Sequence, residues 1–535
     1  MQESFFSGGD CFYECYDFLR SVMKAYNKYR ANLFWLLTCI ILMLLCAGFT
    51  SPLYPHYTGR DSSTFLLLAR GILDGRIPYL DLFDHKGPVF YWMEALGYFF
   101  GGRTGVFFLQ CILLLCDLYF IKRISSLFDA GLTIAALAFF STFFYLFQHG
   151  NLTEEFCMPL ILTGLFFELK FLLSREKKHP PGIAYIYGLL LGLIALIRLN
   201  NAVSICAMLL CIIVILIHDR QRTNLLANIL TGILGLATVT VPVCFYFYRQ
   251  GALYDMLYGT FLLNLLYAKY ITHYPILSSA FLYFMKLLVP GVYAFAVFWE
   301  KWRAERSRAY AALLFSTALT YGMLVYTNVY MHYFMLGIPL LTIAAAAQSP
   351  KAPSGTPMNI RMIVRRRQDT QDRRKNVLSI FLGGITAGYI LLSAYSACAP
   401  IYKTYLTDIA YDEYQQTQTG MAVIPENERG AVIAFDTVSD FYYHADILPC
   451  YRYFTLQKWL STEKVDVYQE FMLYLIKERP LWVVIRTGDN DKILNEILTL
   501  LYSCRYSDDK YSYYRYAEPV ITPQTADISA QTASS

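Results

Sequence analysis

Long uninterrupted apolar runs constrain the fold of this chain more than any other feature of its sequence. They recur at lengths of about 20 residues, which is what an α-helix needs to cross roughly 30 Å of hydrocarbon. A soluble protein of this size would carry roughly a quarter charged residues, whereas only 16% of these 535 residues are charged and 56% are hydrophobic. The sequence therefore predicts an α-helical polytopic membrane protein.

The apolar runs predict about eleven transmembrane helices. Their approximate bounds are 32–50, 104–121, 129–147, 156–173, 183–198, 201–218, 225–247, 279–299, 309–327, 332–348 and 377–397. Lysine and arginine collect in every second loop, as in 174–178, 219–222 and 300–308. Because basic loops stay on the cytoplasmic side, we expect a multi-pass protein of the plasma membrane with a cytoplasmic N-terminus. The loop 51–103 and the C-terminal tail then lie outside.

The rest of the chain divides into shorter segments. Residues 1–31 form a cytoplasmic N-terminal segment, and 32–348 hold ten helices. Residues 349–376 are a basic segment typical of a cytoplasmic linker attracted to anionic headgroups, and helix 377–397 returns the chain to the outside. The tail 518–535 is polar, so we expect it to be disordered.

Residues 400–517 make up the one large segment outside the membrane. They contain β-branched runs at 431–436 and 481–486, with helical patterns at 464–478 and 490–503. These patterns predict a small extracytoplasmic α/β domain. Cys450 and Cys504 both fall in it, and the sequence leaves open whether they form a disulfide.

The stretch 57–92 holds the densest group of acids, at Asp61, Asp74, Asp81 and Asp84. One interpretation is structural. In it Asp61, Ser62 or Ser63 caps a short helix, and "DHKGP" is a turn before a helix that begins at Pro88. The other interpretation is functional. Two amphipathic helices lying in the interface would hold the acids and Lys86 at headgroup depth, where a polyprenyl phosphate presents its phosphate and sugar.

A transferase at that depth needs a carboxylate that takes the proton from an acceptor hydroxyl. It also needs a cation that stabilises the departing phosphate. Asp61 suits the first role, as catalytic base, and Lys86 suits the second, with help from Arg60 or Arg198. A buried arginine at the end of a span, such as Arg198, is costly unless it is paired, which favours a functional role for it.

The same stretch carries the pattern G-x-x-P-Y-x-D-x-F-x-x-K-x-P-x-x-Y-W after an acid that follows the first span. The matching residues are Asp61, Gly75, Pro78, Tyr79, Asp81, Phe83, Lys86, Pro88, Tyr91 and Trp92. The pattern resembles the first outer loop of GT-C glycosyltransferases, in the clan of protein O-mannosyltransferases and bacterial aminoarabinose transferases. The resemblance implies a GT-C-like fold, a catalytic aspartate at Asp61 and a lysine at Lys86 that contacts the lipid phosphate. Two positions depart from it: Ser62 stands where many members have glutamate, and Gly87 where many have proline.

Further candidates follow from the resemblance. The family's second acidic residue falls in 148–164, where Glu154 and Glu155 fit, and Glu155 fits best. Alternatively, Asn151 or Thr153 caps a helix whose first turn favours acids. Glu154, Glu155, Asp81 and Asp84 would contact the acceptor or a divalent metal (Mg²⁺, Mn²⁺ or Zn²⁺), which some GT-C enzymes use and others do not. Secondary candidates are His85, Tyr91, Asn200, Lys269, His332 and Tyr333.

We therefore expect an inverting glycosyltransferase that moves a sugar from a polyprenyl-phosphate donor to a glycan, lipid or protein on the outer face of the membrane. Its partners would be the donor, the acceptor and membrane lipids, with no nucleic acid. A transporter or flippase of lipid-linked sugars would place ionisable residues near the bilayer midplane, but here they cluster at the outer ends of spans, apart from Asp117. A non-enzymatic membrane scaffold would explain the C-terminal domain and not the first loop.

Overall fold

The computed structural model describes residues 29–30, 32–267, 279–326, 330–348, 409–454 and 465–517, apart from residues 436, 438 and 490, together with residues 384, 388 and 395. The segment 1–28, the linker 349–376, most of the predicted helix 377–397, the tail 518–535 and Lys269 lie outside these residues.

Helices make up the larger, N-terminal part of the described chain. They are α1 (Asn32–Cys46), α2 (Arg60–Leu73), α3 (Pro88–Phe99), α4 (Gly102–Leu127), α5 (Leu132–Leu146), α6 (Thr153–Leu173), α7 (Pro181–Arg198), α8 (Val203–His218), α9 (Arg222–Arg249), α10 (Leu253–Leu257), α11 (Leu263–Tyr267), α12 (Ser279–Glu305), α13 (Arg308–Tyr326) and α14 (Ile338–Gln348). Turns of 3₁₀ helix at Leu199–Ala202 and Met331–Gly337 precede α8 and α14, and a π-helical turn lies at Tyr258–Leu262.

Within the described residues, six stretches are long and apolar enough to cross a membrane. They are Gly102–Leu127, Thr153–Leu173, Pro181–His218, Arg222–Arg249, Arg308–Val325 and Met331–Gln348, and α1 and α5 are shorter apolar helices. The stretch Pro181–His218, which we expected to be two spans, contains α7 and α8. Residues 184–191 of α7 and 209–216 of α8 line one apolar cavity of about 260 Å³, so the two helices run antiparallel.

The helices approach each other closely where glycines allow it. A Cβ atom at Gly188 of α7 would lie 2.0 Å from the carbonyl oxygen of Gly232 in α9, and one at Gly235 would lie 2.1 Å from that of Tyr185. The two backbones are therefore in direct contact, as is common where small residues line the interface of membrane helices.

Three basic loops lie together at one end of the helical region. Arg308, at the start of α13, donates hydrogen bonds to the carbonyls of Leu172 and Ser174 at the end of α6. The backbone of His179 accepts from and donates to Asn224 of α9. Helix α6 has 21 residues and is therefore about 30 Å long, which places its first residue, Thr153, at the opposite end.

Residues 409–517 contain a four-stranded mixed sheet with helices α15 (Ile409–Met421), α16 (Asp440–His444), α17 (Val465–Lys477) and α18 (Lys492–Leu501). The strands β1 (Val432–Phe435), β2 (Trp482–Arg486), β3 (Tyr502–Ser507) and β4 (Tyr511–Tyr516) are arranged in the order β1-β2-β4-β3. The β1–β2 pair is parallel and the other two pairs are antiparallel. Cys450 and Cys504 are free thiols.

The sheet-containing segment packs on α2. Ser63 donates a hydrogen bond to Asp440 of α16 (2.5 Å), and the hydroxyls of Thr64 and Ser439 are also hydrogen-bonded. Arg70 forms an ion pair of 2.7 Å with Asp446. Helix α2 is therefore held from one side by α16.

Candidate active site

A polar cavity of about 160 Å³ lies at the end of the helical region opposite the basic loops. It is lined by Asp61, Thr64, Phe65, Asp84, His85, Lys86, Arg198, Tyr330, His332 and Tyr333. Seven of these ten residues were candidates from the sequence: Asp61, Asp84, His85, Lys86, Arg198, His332 and Tyr333. The larger cavity between α7, α8 and α9 is apolar apart from His179, Tyr187 and Asn228, and these three side chains are hydrogen-bonded to one another.

Asp61 lies in the first turn of α2 with its side chain exposed. The N-cap residue is Gly59, and no side chain caps the helix. The structural interpretation of Asp61, Ser62 or Ser63 as the N-cap is therefore wrong. Thr64 and Phe65 line the cavity with Asp61 because residues three and four apart share one face of a helix. No hydrogen bond or ion pair within the described residues engages the Asp61 carboxyl.

Lys86 is held by a chain of contacts that begins at Asp84. The Lys86 ammonium lies 3.2 Å from His85 Nε2, and His85 Nδ1 lies 3.1 Å from Asp84 Oδ1. A second Asp84 oxygen accepts a hydrogen bond of 2.7 Å from Tyr91 and lies 3.8 Å from Lys86 Nζ. The Lys86 carbonyl accepts a hydrogen bond from Tyr79. The Lys86 side chain is therefore buried, and His85 and Asp84 fix the position of its ammonium group.

The protonation states of Asp84 and His85 follow from their surroundings. Burial alone would raise the pKa of the Asp84 carboxyl, but Lys86, His85 and the Tyr91 hydroxyl together hold it well below its ordinary value. Burial and the positive charge of Lys86 lower the pKa of His85. His85 is therefore neutral near pH 7. It donates from Nδ1 to ionised Asp84 and accepts from Lys86 at Nε2.

Arg198, at the end of α7, carries the second positive charge of the cavity. It donates to Glu154 (3.1 Å), to the hydroxyl of Tyr333 (2.5 Å) and to the hydroxyl of Thr153 (3.3 Å). Its guanidinium also lies 4.5 Å from the ring centroid of Tyr333. The Arg198 side chain is only 14% exposed and needs such partners, and the five donors of its planar group leave capacity for a ligand.

Gly87 brings the two cations together. Its N–H donates a hydrogen bond of 3.0 Å to the carbonyl of Ile197, the residue before Arg198. A Cβ atom at this position would lie only 2.0 Å from the carbonyl oxygen of Leu196. The departure from proline at Gly87 therefore has a structural reason, because proline has no N–H to donate and carries atoms where the α7 backbone lies.

Of the two adjacent glutamates, Glu154 is the one joined to the cavity residues. Glu155 instead accepts hydrogen bonds from the backbone N–H of Asn151 and Leu152 and from the side chain of Gln110. It caps the start of α6, whose N-cap residue is Leu152 and neither Asn151 nor Thr153. The preference for Glu155 over Glu154 is thus not supported by where the structure places them.

The other candidates are placed away from the cavity lining. Asp81 accepts a hydrogen bond of 2.7 Å from the backbone N–H of Ile77 and holds its own loop. Tyr91 does not line the cavity but donates a hydrogen bond to Asp84, which does. Arg60 is exposed at the start of α2, and Asn200 lies in the 3₁₀ turn after α7.

The sequence did not single out three of the lining residues, Thr64, Phe65 and Tyr330. The helical spacing from Asp61 would have found the first two. Tyr330 lies just before the His-Tyr pair, and only tertiary packing brings it to the cavity. In the part of the chain that the structure describes, no three His, Cys, Asp or Glu side chains are grouped so that they could hold a metal ion.

Comparisons with known proteins agree with this architecture. Residues 23–408 match the family model "Putative competence-induced protein Ccs4 N-terminal domain". No curated protein matches the chain. Among solved structures, ArnT from Cupriavidus metallidurans bound to undecaprenyl phosphate is 13% identical, with 92% of this chain and 99% of that chain covered and a TM-score of 0.55. ArnT in the apo state is 14% identical, with 90% and 98% covered and a TM-score of 0.51. The expected GT-C fold is thereby confirmed.

Proposed function

This chain belongs to the family of competence-induced protein Ccs4, and we propose that it is an inverting glycosyltransferase of the membrane. In this proposal it takes a sugar from a polyprenyl-phosphate donor and transfers it to a hydroxyl of a glycan, lipid or protein on the outer face. Asp61 is the catalytic base, and Lys86 and Arg198 bind the donor phosphate.

One observation carries the proposal: a single cavity holds an exposed carboxylate and two anchored cations. Lys86 and Arg198 are each fixed by a separate acid, Asp84 and Glu154, whereas no described residue forms an ion pair with Asp61. The cavity therefore offers two cations suited to an anionic phosphate and a carboxylate available to accept a proton.

The chemistry follows from this division. The acceptor oxygen forms a bond to the anomeric carbon of the sugar while the bond from that carbon to the phosphate oxygen breaks. Asp61 takes the hydroxyl proton, and the bonding electrons leave with the phosphate. Lys86 and Arg198 stabilise the negative charge that this phosphate gains. Attack on the face opposite the leaving group inverts the anomeric configuration.

The donor and the orientation in the membrane rest on separate grounds. The structure of ArnT that shares this fold contains undecaprenyl phosphate, which supports a long-chain polyprenyl phosphate as the carrier here. The loops with Lys177, Arg222 and Arg306 lie at the end opposite the cavity, which by the positive-inside rule supports a cavity on the outer side.

A transporter or flippase is the second candidate, because two carboxyls are buried inside the spans. Asp117 of α4 and Glu168 of α6 are fully buried, and their oxygens have no hydrogen-bond partner among the described residues. However, neither residue lines the polar or the apolar cavity described above. Because neither carboxyl lies at the cavity that holds Asp61, Lys86 and Arg198, the transferase remains the better supported function.

The test compares the wild-type protein with Asp61→Asn and Lys86→Ala, each in nanodiscs, for consumption of radiolabelled polyprenyl-phosphate sugars from a small panel. We expect wild type to consume one donor, Asp61→Asn to lose about 10²-fold or more in rate, and Lys86→Ala to lose about 10²-fold. Asp74→Asn, at the exposed end of the same helix, and Lys177→Ala, in an exposed loop, are matched controls. If Asp61→Asn turns over like wild type, Asp61 is not the base.

A further inference from the structure

The segment between α5 and α6 has an unusual backbone. Four consecutive residues have positive φ: Gln148 (47°), His149 (74°), Gly150 (88°) and Asn151 (60°). Only glycine adopts this region without cost, and a run of left-handed residues is disfavoured for L-amino acids. Such a conformation persists only where the surrounding structure fixes it, and it is typical of functional sites.

Contacts of two residues that follow Gln148 fix this turn. The carbonyl of His149 accepts a hydrogen bond from the backbone of Phe49, and its ring lies 5.4 Å from that of Phe49. Asn151 donates from its side chain to Ser62 (2.9 Å), the residue after Asp61. The left-handed turn therefore presents Gln148 at a defined position beside α2.

Gln148 contacts a residue of the cavity. Its Oε1 atom lies 2.9 Å from Nδ1 of His332. An amide oxygen only accepts hydrogen bonds, so the proton of the neutral imidazole is on Nδ1, and Nε2 carries a lone pair. His332 lines the cavity and Gln148 does not.

We propose that Gln148 is a positioning residue that fixes this tautomer, so that Nε2 of His332 accepts a hydrogen bond from a sugar hydroxyl or amino group in the cavity. This inference rests on the proposed function. The hydroxyl or amino group belongs either to the transferred sugar or to a carbohydrate acceptor, and binding measurements with the two lipids and the acceptor separate these cases.

The chemistry of the groups that line the cavity supports this assignment. Phosphate oxygens accept hydrogen bonds, so they are recognised by the donors Lys86 and Arg198. A lone pair on His332 repels phosphate and binds a group that donates. The ring of Tyr330 is stacked on His332 at 5.8 Å, which adds an aromatic face. Aromatic faces next to a hydrogen-bond acceptor suit a carbohydrate, whose C–H surface is apolar and whose hydroxyls donate.

The first experiment reads the tautomer directly. The full chain, labelled with ¹⁵N-histidine in nanodiscs, is studied by NMR at neutral pH, and the His332 resonances are identified by their loss in His332→Gln. We expect the Nδ1–H tautomer in wild type and a shift toward Nε2–H in Gln148→Leu. An Nε2–H tautomer or an imidazolium in wild type would overturn the proposal whether or not the protein is a transferase.

The second experiment measures binding of undecaprenyl phosphate and of the undecaprenyl-phosphate sugar that wild type consumes. We expect Gln148→Leu to leave the Kd of undecaprenyl phosphate within about twofold. If the sugar belongs to the donor, the Kd of the sugar-bearing lipid rises about tenfold; if it belongs to the acceptor, the KM of the acceptor rises about tenfold instead. Equal weakening of both lipids, or no effect on either sugar, would contradict the proposal. Gln250→Leu, at an exposed glutamine after α9, is the control.

A pH profile gives a readout that a merely structural role would not move. In Gln148→Glu, a carboxylate beside Nδ1 favours the imidazolium form of His332, which has no lone pair at Nε2. We expect sugar-dependent binding by this variant to fall as the pH is lowered through neutrality, while binding of undecaprenyl phosphate does not fall with it. A profile identical to that of wild type would overturn the proposal. A protein that binds undecaprenyl phosphate but transfers no sugar would instead contradict the proposed function.

Discussion

The protonation state of His85 determines how the neighbouring Lys86 ammonium is held. In its neutral form it accepts from Lys86 at Nε2 and donates to Asp84 at Nδ1, at distances of 3.2 and 3.1 Å. In its protonated form it would offer Lys86 a like charge in place of a lone pair. The position of the lysine, and with it the binding of the donor phosphate that we propose for it, therefore depends on an uncharged histidine.

Acidification should therefore destabilise this site. Because burial and Lys86 hold the pKa of His85 below its ordinary value of 6.5, the unfolded chain takes up the proton more readily than the folded one. The stability that the neutral ring contributes is full above about pH 6.5 and is lost as the pH falls below that value. We expect the melting temperature in nanodiscs to fall between pH 7.5 and 5, and to fall less in His85→Gln. His218→Gln, at an 85% exposed histidine, should follow wild type, and equal pH slopes in all three proteins would contradict the prediction.

The two adjacent glutamates should separate by function. Glu154→Gln removes the charged partner of Arg198, and a hydrogen bond to a charged group is worth about 2 kcal/mol, so kcat/KM should fall about 30-fold. Glu155→Gln keeps an oxygen that accepts from the backbone at the start of α6, so its activity should stay within about threefold of wild type. Steady-state kinetics of the two variants decide this, and the opposite order would place Glu155 in the site.

For individual residues, the sequence identified the charged side chains but not which of them pair with each other. Asp61 and Lys86 could be found because charged residues at the ends of apolar runs are conspicuous. The choice between Glu154 and Glu155 could not be made, because neighbouring residues on a helix point about 100° apart. Which of them meets Arg198 depends on how α6 packs against α7, and no local pattern encodes that packing.

Secondary-structure elements hold the site through a few close backbone contacts. Gly87 should therefore tolerate no side chain, since a Cβ atom there would lie 2.0 Å from the Leu196 carbonyl. We expect Gly87→Ala to lower the free energy of unfolding by about 1–3 kcal/mol and to reduce donor binding by separating Lys86 from Arg198. Gly182→Ala, where nothing lies within 4 Å of an added Cβ, should be neutral or slightly stabilising. Chemical denaturation of both variants tests this, and a Gly87→Ala protein as stable as wild type would contradict it.

Local signals predicted some of these elements well. Pro88 begins α3, as expected from its fixed φ, and α2 ends at Leu73, two residues before Gly75. The runs at 431–436 and 481–486 contain β1 and β2. The contact between α2 and α16 could not be predicted, because it joins Ser63 to Asp440, and such a long-range pairing has no local sequence signal.

Over the whole molecule, the charge pattern and the packing both distinguish one end of the helical region from the other. The three basic loops are joined at one end by the hydrogen bonds of Arg308 and His179. The cavity and α16 lie at the other end, about one α6 length away. Sequence alone marked the basic loops. Of the stretches that it predicts as spans, six within the described residues are long and apolar enough to cross a membrane, one of them containing both α7 and α8, and α1 and α5 are shorter apolar helices.

This arrangement predicts which residues can be labelled from outside an intact cell. Cys504 is exposed on β3, so a membrane-impermeant maleimide should modify it in intact cells, and Cys504→Ser should remove that labelled peptide from the mass map. A cysteine introduced at Lys177, in the exposed loop between α6 and α7, should react only after the membrane is permeabilised, because the positive-inside rule keeps that loop in the cytoplasm. The reverse pattern would put the cavity on the cytoplasmic side, where Asp61 and Lys86 would meet a cytoplasmic donor, and would reject a reaction on the outer face. Labelling of both sites without permeabilisation indicates leaky cells, which a cytosolic marker protein detects in the same sample.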